Sequence, residues 1–412
     1  MTYGLIGKKL GHSFSKEIHE QLADYTYELK ELLPQQVKEF IQERAFSAIN
    51  VTIPYKETVI PFLDEISPRA KAIGAVNTIV NSNGKLKGYN TDILGMGALL
   101  DYHEINIENK KVLILGSGGT AQTALAMAKE RNASQVLIVS RGGANGITYE
   151  EVYTSHTDAQ IIINTTPCGM YPQIDDSPLD LSAFEALEGV VDAIYNPLRT
   201  SLILQAQAKG VKATGGLYML VAQAVYAVQF FLDCSMDLSV IDKIYHKILA
   251  QKENIVLIGM PSCGKSTIGT LLAEQLNREL YDTDQLICSE FGKSPAEIIQ
   301  NEGEAAFRDK ESNVVASLVA PLSGAIIATG GGAILKSENV LELKKNGKLF
   351  FIDRPLELLI TTKDRPLSSD RNALEARYNE RYPIYCAAAD KKISPAIDLD
   401  IICNEIIKEM NL

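Results

Sequence analysis

Only five histidines occur in the 412-residue chain, and all of them lie at or before His246. Whatever chemistry resides beyond that residue must therefore proceed without an imidazole. Cysteine is scarce too: Cys168, Cys234, Cys263, Cys288, Cys386 and Cys403 are scattered, with no C-x-x-C pair. That spacing excludes a disulfide frame and a zinc site, and suits free thiols in a reducing cytoplasm. Positive charge is not in excess. The net charge of −11 is spread along the chain, which excludes a basic face or tail for nucleic acid and leaves the cations to local work on small anions. Long apolar runs are missing as well. The most apolar stretch, Leu217 to Leu232, is shorter than the roughly 18 residues a membrane span needs, and Gln223 and Gln229 interrupt it. It reads as a buried helix, so no membrane partner is expected. Met1 leads directly into a strand-like start (Tyr3, Leu5, Ile6) with no basic-then-apolar signal segment, which predicts a cytoplasmic protein.

What is present is an ordinary globular composition, 46% hydrophobic and 22% charged, at a length that suggests two to three domains. Residues Asn254 to Thr267 read NIVLIGMPSCGKST, an apolar strand running into G-x-x-x-x-G-K-S. Between Gly259 and Gly264 the backbone N–H groups of such a loop cradle phosphates. Lys265 neutralises them, Ser266 is placed to ligate Mg²⁺, and Thr267 follows at the helix start. About 140 residues upstream, KVLILGSGGTAQTALAMA (Lys111 to Ala128) is a second strand–loop–helix. Gly116, Gly118 and Ala121 fit the dinucleotide turn G-x-G-x-x-A, with Gly119 inside it. The next strand ends in Ser140-Arg141 where an NAD enzyme carries an acidic residue. A cation there suits a 2′-phosphate, so NADP is the expected dinucleotide.

The pattern of strands and helices predicts an α/β chain throughout. Residues 1–95 alternate strand-like runs (Ala48 to Ile53, Val76 to Val80) with amphipathic helices (Ser15 to Leu22, Gln35 to Glu43), forming a first α/β domain. Residues 96–216 carry the continuous apolar strands VLIL, QVLIV, QIIIN and GVVDAI, the mark of a parallel, doubly wound, Rossmann-type sheet. Helices from about 217–250 pack back on the first domain. Lys252 and Glu253 form the linker, and residues 254–412 make a phosphate-loop α/β domain with a parallel sheet.

Seven ordered motifs, HSFS (His12 to Ser15), NVTIPYK (Asn50 to Lys56), GAVNT (Gly74 to Thr78), GYNTD (Gly88 to Asp92), NTTPCGM (Asn164 to Met170), DAIYNP (Asp192 to Pro197) and GGLYMLVAQA (Gly215 to Ala224), closely resemble shikimate dehydrogenase across residues 1–250. The resemblance implies that Ser13 and Ser15 bond a substrate carboxylate. It likewise implies that Thr52, Asn77, Asn90 and Gln223 hold ring hydroxyls, that Tyr195, on the substrate side, and Met219 stand around the nicotinamide, and that Lys56 and Asp92 are the catalytic pair. Thr165 and Met219 would stand with Gly116, Gly118, Gly119 and Arg141 at the cofactor. Taken alone, Lys56 would be a solvated loop lysine, Asn77 and Asn90 turn residues, and Tyr195 and Met219 plain core; the joint occurrence of the motifs overturns the first three readings. Two departures stand out. SRGGANGI offers only Arg141 where the family has further basic residues, which predicts a weaker NADP preference, and Lys16 replaces a usual proline.

Beyond the phosphate loop, YDTD (Tyr281 to Asp284), GEAAFRDKE (Gly303 to Glu311), ATGGGA (Ala328 to Ala333), DRPL (Asp364 to Leu367) and ERYPIY (Glu380 to Tyr385) are similar in series to shikimate kinase. By that resemblance Asp284 orients the attacking hydroxyl, and Arg308 and Arg381 clamp the carboxylate. Gly330, Gly331 and Gly332 let the backbone approach the substrate, Arg365 belongs to a lid over ATP, and Asp282 stands near Mg²⁺. Without their motifs, Arg308 and Arg381 would read as surface salt bridges. A forked guanidinium suits a planar carboxylate, and phosphoryl transfer needs positioning and charge rather than histidine.

The expectation is a bifunctional enzyme of aromatic-precursor biosynthesis that uses NADPH, ATP and Mg²⁺, with 3-dehydroshikimate and shikimate as its small-molecule partners. Monomer and homodimer are both compatible with the sequence. Two rivals remain: a first half preferring quinate with NAD, and a metabolite-sensing module with one half catalytically dead.

Overall fold

The structure is a computed structural model, and it describes residues 1–11, 13–143, 146–359, 371–393 and 398–412. The chain divides into two compact units, Met1–His246 and Lys247–Leu412. Among the described residues, no helix is long and apolar enough to cross a membrane.

The first unit holds two sheets. One is built from β1 (Tyr3–Gly7), β2 (Tyr27–Glu31), β3 (Ala48–Val51), β4 (Glu65–Ile66), β5 (Thr78–Ser82) and β6 (Lys85–Tyr89) in the order β2-β1-β3-β5-β6-β4. Its β1, β2 and β3 run parallel, whereas β5 is antiparallel to both β3 and β6. The expected strand over 48–53 stops at Val51, and the chain turns at Ile53 and Pro54, which has no N–H to give a ladder. The helix Leu217–Leu232 packs against the helices Ser15–Leu22 and Asp92–Tyr102 and against β3 and β5. This burial is what its 16 mostly apolar residues serve.

The second sheet comprises β7 (Lys111–Leu115), β8 (Gln135–Val139), β9 (Ile161–Asn164), β10 (Gly189–Asp192) and β11 (Lys212–Thr214) in the order β11-β10-β9-β7-β8. Every pairing is parallel. The central strands are buried on both faces, which is why they read as unbroken apolar runs. The order reverses between β7 and β9, and the loops that leave their carboxyl ends there open a crevice of the kind that binds nucleotides.

The other unit has one five-stranded parallel sheet: β12 (Asn254–Ile258), β13 (Leu280–Asp282), β14 (Ile326–Ala328), β15 (Gly347–Ile352) and β16 (Lys391–Ile393), in the order β13-β14-β12-β15-β16. Its switch point falls at β12, so the Gly259–Lys265 loop emerges at the carboxyl edge between β14 and β15.

Candidate active sites

In the first unit, Asp92 opens the helix Asp92–Tyr102, where the positive end of the helix dipole favours a carboxylate. Lys56 comes from the loop after β3. Its Nζ donates to Asp92 Oδ2 at 2.7 Å, and the two side chains are only 12% and 8% exposed. The dinucleotide turn lies against this pair. A Cβ added at Gly119 would stand 3.4 Å from Lys56 Cβ and 3.7 Å from its Cδ, ordinary contact distances that place the turn beside the lysine stem.

Gly116 has φ +110°, a conformation that favours glycine, and a Cβ there would press within 2.7 Å of Thr165 Oγ1. Nothing lies within 4 Å of a Cβ built at Gly118. The open side of the turn, its positive-φ glycine and the helix Gly119–Glu130 behind it fit a pyrophosphate. Thr165 turns its hydroxyl to the Leu115 carbonyl at 2.6 Å, and Met219 is buried. Arg141 is exposed at the end of β8.

Two of the polar residues expected at the substrate, Asn77 and Gln223, share one buried network. Asn77 Nδ2 donates to Thr91 Oγ1 at 2.9 Å and to Gln223 Oε1 at 3.4 Å, and Thr91 N donates to Asn77 Oδ1 at 2.7 Å. Asn90 is tied to local backbone: it donates to the Ala75 carbonyl at 3.0 Å and accepts from Ile93 N at 3.2 Å. Close packing brings Gln223 to this network, because a Cβ at Gly95 would stand 2.7 Å from the Met219 carbonyl and 3.0 Å from Gln223 Cβ. Ser13 Oγ accepts from Ser15 N at 3.3 Å, and Ser15 is buried. Tyr195 packs on Phe14 with ring centroids 5.2 Å apart; burial raises its pKa, and a hydrogen bond with Ser13 opposes the rise. Thr52 sits beside Gly7, where a Cβ would stand 2.6 Å from its methyl.

Sequence reasoning missed Thr91 and Asn50. Asn50 Nδ2 donates to the Asn77 carbonyl at 3.2 Å and to Thr78 Oγ1 at 3.1 Å, while Tyr27 O–H donates to Asn50 Oδ1 at 2.7 Å. Both lie inside the NVTIPYK and GYNTD motifs, so a polar residue buried at a strand end was the available signal.

In the second unit, Gly259 (φ +149°) and Gly264 (φ +102°) shape the loop, and the helix Lys265–Leu276 starts at its end. Lys265 is buried and its ammonium donates to the carbonyls of Gly259 at 2.9 Å and Met260 at 3.0 Å, with Cys263 Sγ 3.7 Å away. Ser266 Oγ donates to Asp282 Oδ2 at 2.9 Å. Two oxygens so placed beside a phosphate cradle fit Mg²⁺, a hard cation. Thr267 is exposed on the first turn. Arg365 and the rest of DRPL, like His12, lie outside the described residues.

Asp284, Arg308, Arg381 and the glycines 330–332 converge. A Cβ at Gly330 would stand 2.7 Å from Asp284 Oδ1 and 2.9 Å from Glu311 Oε1, and one at Gly332 would fall 2.3 Å from the Arg308 guanidinium. Arg308 also pairs with Glu311 at 2.7 Å and Glu304 at 3.0 Å. Glu311, which sequence reasoning missed, is 0% exposed and burial raises its pKa. Its spacing from Arg308, three residues along one helix, was the sequence signal.

Three buried polar atoms here have no partner: Arg308 Nε, Arg381 Nε and Glu311 Oε1. Buried groups are ordinarily satisfied, so these atoms have bonding capacity that the chain itself does not fill. Two guanidinium donors suit a carboxylate, and the Glu311 oxygen suits a hydroxyl partner.

The two units thus define two classes of enzyme, a dinucleotide-dependent oxidoreductase with a Lys–Asp pair and a phosphate-loop kinase for a hydroxylated carboxylate. The family model described as shikimate dehydrogenase substrate binding domain matches residues 5–79, and that described as shikimate kinase matches residues 261–411. Shikimate dehydrogenase (NADP(+)) of Clostridium perfringens is 38% identical over 265 residues, covering 60% of this chain and 97% of the relative. Among solved structures, shikimate dehydrogenase 1 from Peptoclostridium difficile superposes with TM-score 0.56 at 35% identity, over 60% of this chain and 97% of that one. A chorismate mutase/shikimate 5-dehydrogenase fusion protein from Clostridium acetobutylicum gives TM-score 0.57 at 37% identity, over 60% and 96%. The chain belongs to the shikimate dehydrogenase family, and it carries a shikimate kinase domain after the dehydrogenase.

Proposed function

We propose that the chain is a bifunctional shikimate-pathway enzyme. Its first unit reduces 3-dehydroshikimate to shikimate with NADPH, and its second phosphorylates the shikimate 3-hydroxyl with MgATP. The observation that carries this reading is the cluster of orphaned donors and acceptors around Gly330–Gly332, which suits the product of the reaction that the first unit's motifs imply.

In the first unit Gly116, Gly118, Gly119 and Arg141 would hold NADPH, which when bound supplies a hydride to the ketone. The nascent alkoxide needs a proton, and the Lys56 ammonium is the group placed to deliver it, with Asp92 fixing its direction. Ser13 and Ser15 bind the carboxylate; Thr52, Asn77, Asn90 and Gln223 orient the ring hydroxyls. Tyr195 closes the carboxylate end, while Thr165 and Met219 would stand at the cofactor.

In the second unit ATP supplies the phosphoryl group. Lys265 exchanges its bonds to Gly259 and Met260 for the phosphates, Ser266 and Asp282 would hold Mg²⁺, and Thr267 extends the cradle. Asp284 orients the attacking hydroxyl and accepts its proton, and Arg308 and Arg381 bind the carboxylate. Arg365 completes the site as a lid residue on the strength of the DRPL motif alone. The six free thiols support a reducing, cytoplasmic setting.

The experiment is to incubate the full chain with 3-dehydroshikimate, NADPH and MgATP and follow products by mass. Shikimate 3-phosphate is expected, with accumulation halting at shikimate when ATP is omitted. Failure of either step rejects the corresponding half. Arg141 as the one basic residue of the loop after β8 favours a second reading, weak NADP preference and acceptance of quinate with NAD. The ratio of kcat/KM for NADPH and NADH, measured with shikimate and quinate, separates the two.

A further inference from the structure

The ERYPIY motif carries a residue that the kinase reading above does not use. Tyr385 lies four residues beyond Arg381 on the helix Arg371–Ala388, so the two side chains leave the same face one turn apart. It is 0% exposed, and its ring stacks on Phe351 with centroids 5.1 Å apart and planes 12° from parallel. A buried phenol ordinarily finds a hydrogen-bond partner. Here the hydroxyl donates to the Gly331 carbonyl, which also accepts Arg381 Nη1 at 3.0 Å.

Gly331 is hemmed in on its other side. A Cβ there would stand 2.8 Å from Cγ and Cδ of Pro261, so this peptide bridges the phosphate loop and the carboxylate clamp. The neighbouring peptides are held elsewhere: Gly330 N donates to Thr283 Oγ1 at 2.8 Å, and Gly332 faces Arg308. Arg381 therefore has two duties. It anchors Gly331, and its fork, with Nε unpartnered, must take a ligand carboxylate. A guanidinium that turns to the ligand leaves the Gly331 carbonyl short of a donor unless a second one stays behind.

We propose that Tyr385 is the positioning residue of the kinase site: its hydroxyl holds the Gly331 peptide in place while Arg381 engages the substrate carboxylate. The inference rests on the kinase reading. It predicts an effect on the acid substrate that is separable from nucleotide binding, because the phosphate loop keeps its own bonds.

The test is Tyr385→Phe in the full chain, with shikimate and ATP each varied. Loss of one neutral hydrogen bond should raise the shikimate KM about two- to tenfold. The kcat should change by less than about threefold, and the ATP KM and the dehydrogenase kinetics should not move. Phe351→Leu, which removes the ring stack but keeps the hydroxyl, should lower the melting temperature and leave the shikimate KM unchanged. In the double variant Tyr385→Phe/Arg381→Lys the two KM effects should be non-additive, since both residues serve one carbonyl. An unchanged shikimate KM in an active Tyr385→Phe enzyme overturns the proposal, as does an equal KM rise in Phe351→Leu, which would make Tyr385 packing only. Wild-type protein that forms no shikimate-dependent ADP would instead overturn the kinase reading itself.

Discussion

Lys56 Nζ lies 2.7 Å from Asp92 Oδ2, in a contact between a loop lysine and the first residue of a helix 36 positions later. Neither side chain is more than an eighth exposed, so the pair is fixed by packing and not by solvent-screened attraction. Replacing Lys56 by Ala should cost about 10²–10⁴ in the reduction rate, the usual range for positioned acid–base help. The kinase rate should be unaffected, since its residues belong to the other unit. Separate assays of the two activities decide, and reduction retained within a factor of a few would remove Lys56 from the chemistry.

A second prediction concerns Asp192, at the end of β10. Its carboxylate accepts from Asn164 Nδ2 at 3.0 Å, Ile194 N at 3.0 Å and Thr200 Oγ1 at 2.7 Å, yet burial pushes its pKa up to about 6. The folded state therefore holds a proton that the unfolded chain gives up near the ordinary carboxylate pKa. Its contribution to stability is full below about pH 4 and declines as pH rises through about 6. Asp192→Asn removes that decline. Between pH 4 and 7 the variant should gain on the wild type by up to about 3 kcal/mol, at about 1.4 kcal/mol per pKa unit. Melts of the first unit across this range test it; a difference independent of pH would show that Asp192 does not titrate there.

Much of this arrangement was legible in the sequence. β8 and the helix Leu217–Leu232 fall at the residues their patterns indicate, because a continuous apolar run between polar ends can hardly be placed otherwise. Within the motifs, Lys56 meets Asp92 and Asn77 meets Gln223. What stayed hidden were partners fixed by tertiary contact. Glu311 reads as an ordinary charged helix residue until its burial beside Gly330 is seen, and Tyr385 as core until its hydroxyl meets a carbonyl 54 residues away. Neither periodicity nor propensity reports which glycine a side chain will face.

A third prediction concerns where the kinase unit can be started. The helix Ser239–Lys252 runs almost to β12, and its last turn supplies acceptors to that unit. Arg278 donates to the carbonyls of Ala250 at 2.5 Å and Glu253 at 3.1 Å, and Lys252 O takes Gly324 N at 2.8 Å and Ser323 Oγ at 3.0 Å. A fragment beginning at Asn254 lacks all three carbonyls and leaves a partly buried guanidinium without them. It should be about 2–5 kcal/mol less stable than one beginning at Lys247, on the cost of unpaired buried groups. Urea melts of the two fragments compare them directly, and equal midpoints would rule out an anchoring role for residues 247–253.

The last prediction separates charge from shape at Arg381. Its guanidinium is 4% exposed, and desolvation lowers its pKa. Nη1 is bound to Gly331, and Nε waits without a partner. A lysine at this position would keep the charge, but an ammonium cannot present two parallel N–H groups to a carboxylate. Losing one charged hydrogen bond, about 1.5–3 kcal/mol, should raise the shikimate KM roughly ten- to a hundredfold. The ATP KM should move little, because Lys265 and the loop amides hold the phosphates. Steady-state kinetics with each substrate varied in Arg381→Lys give the answer. A larger rise for ATP than for shikimate would move Arg381 from the substrate clamp to the nucleotide side, and no rise in either would mean that the orphaned Nε has no ligand to meet.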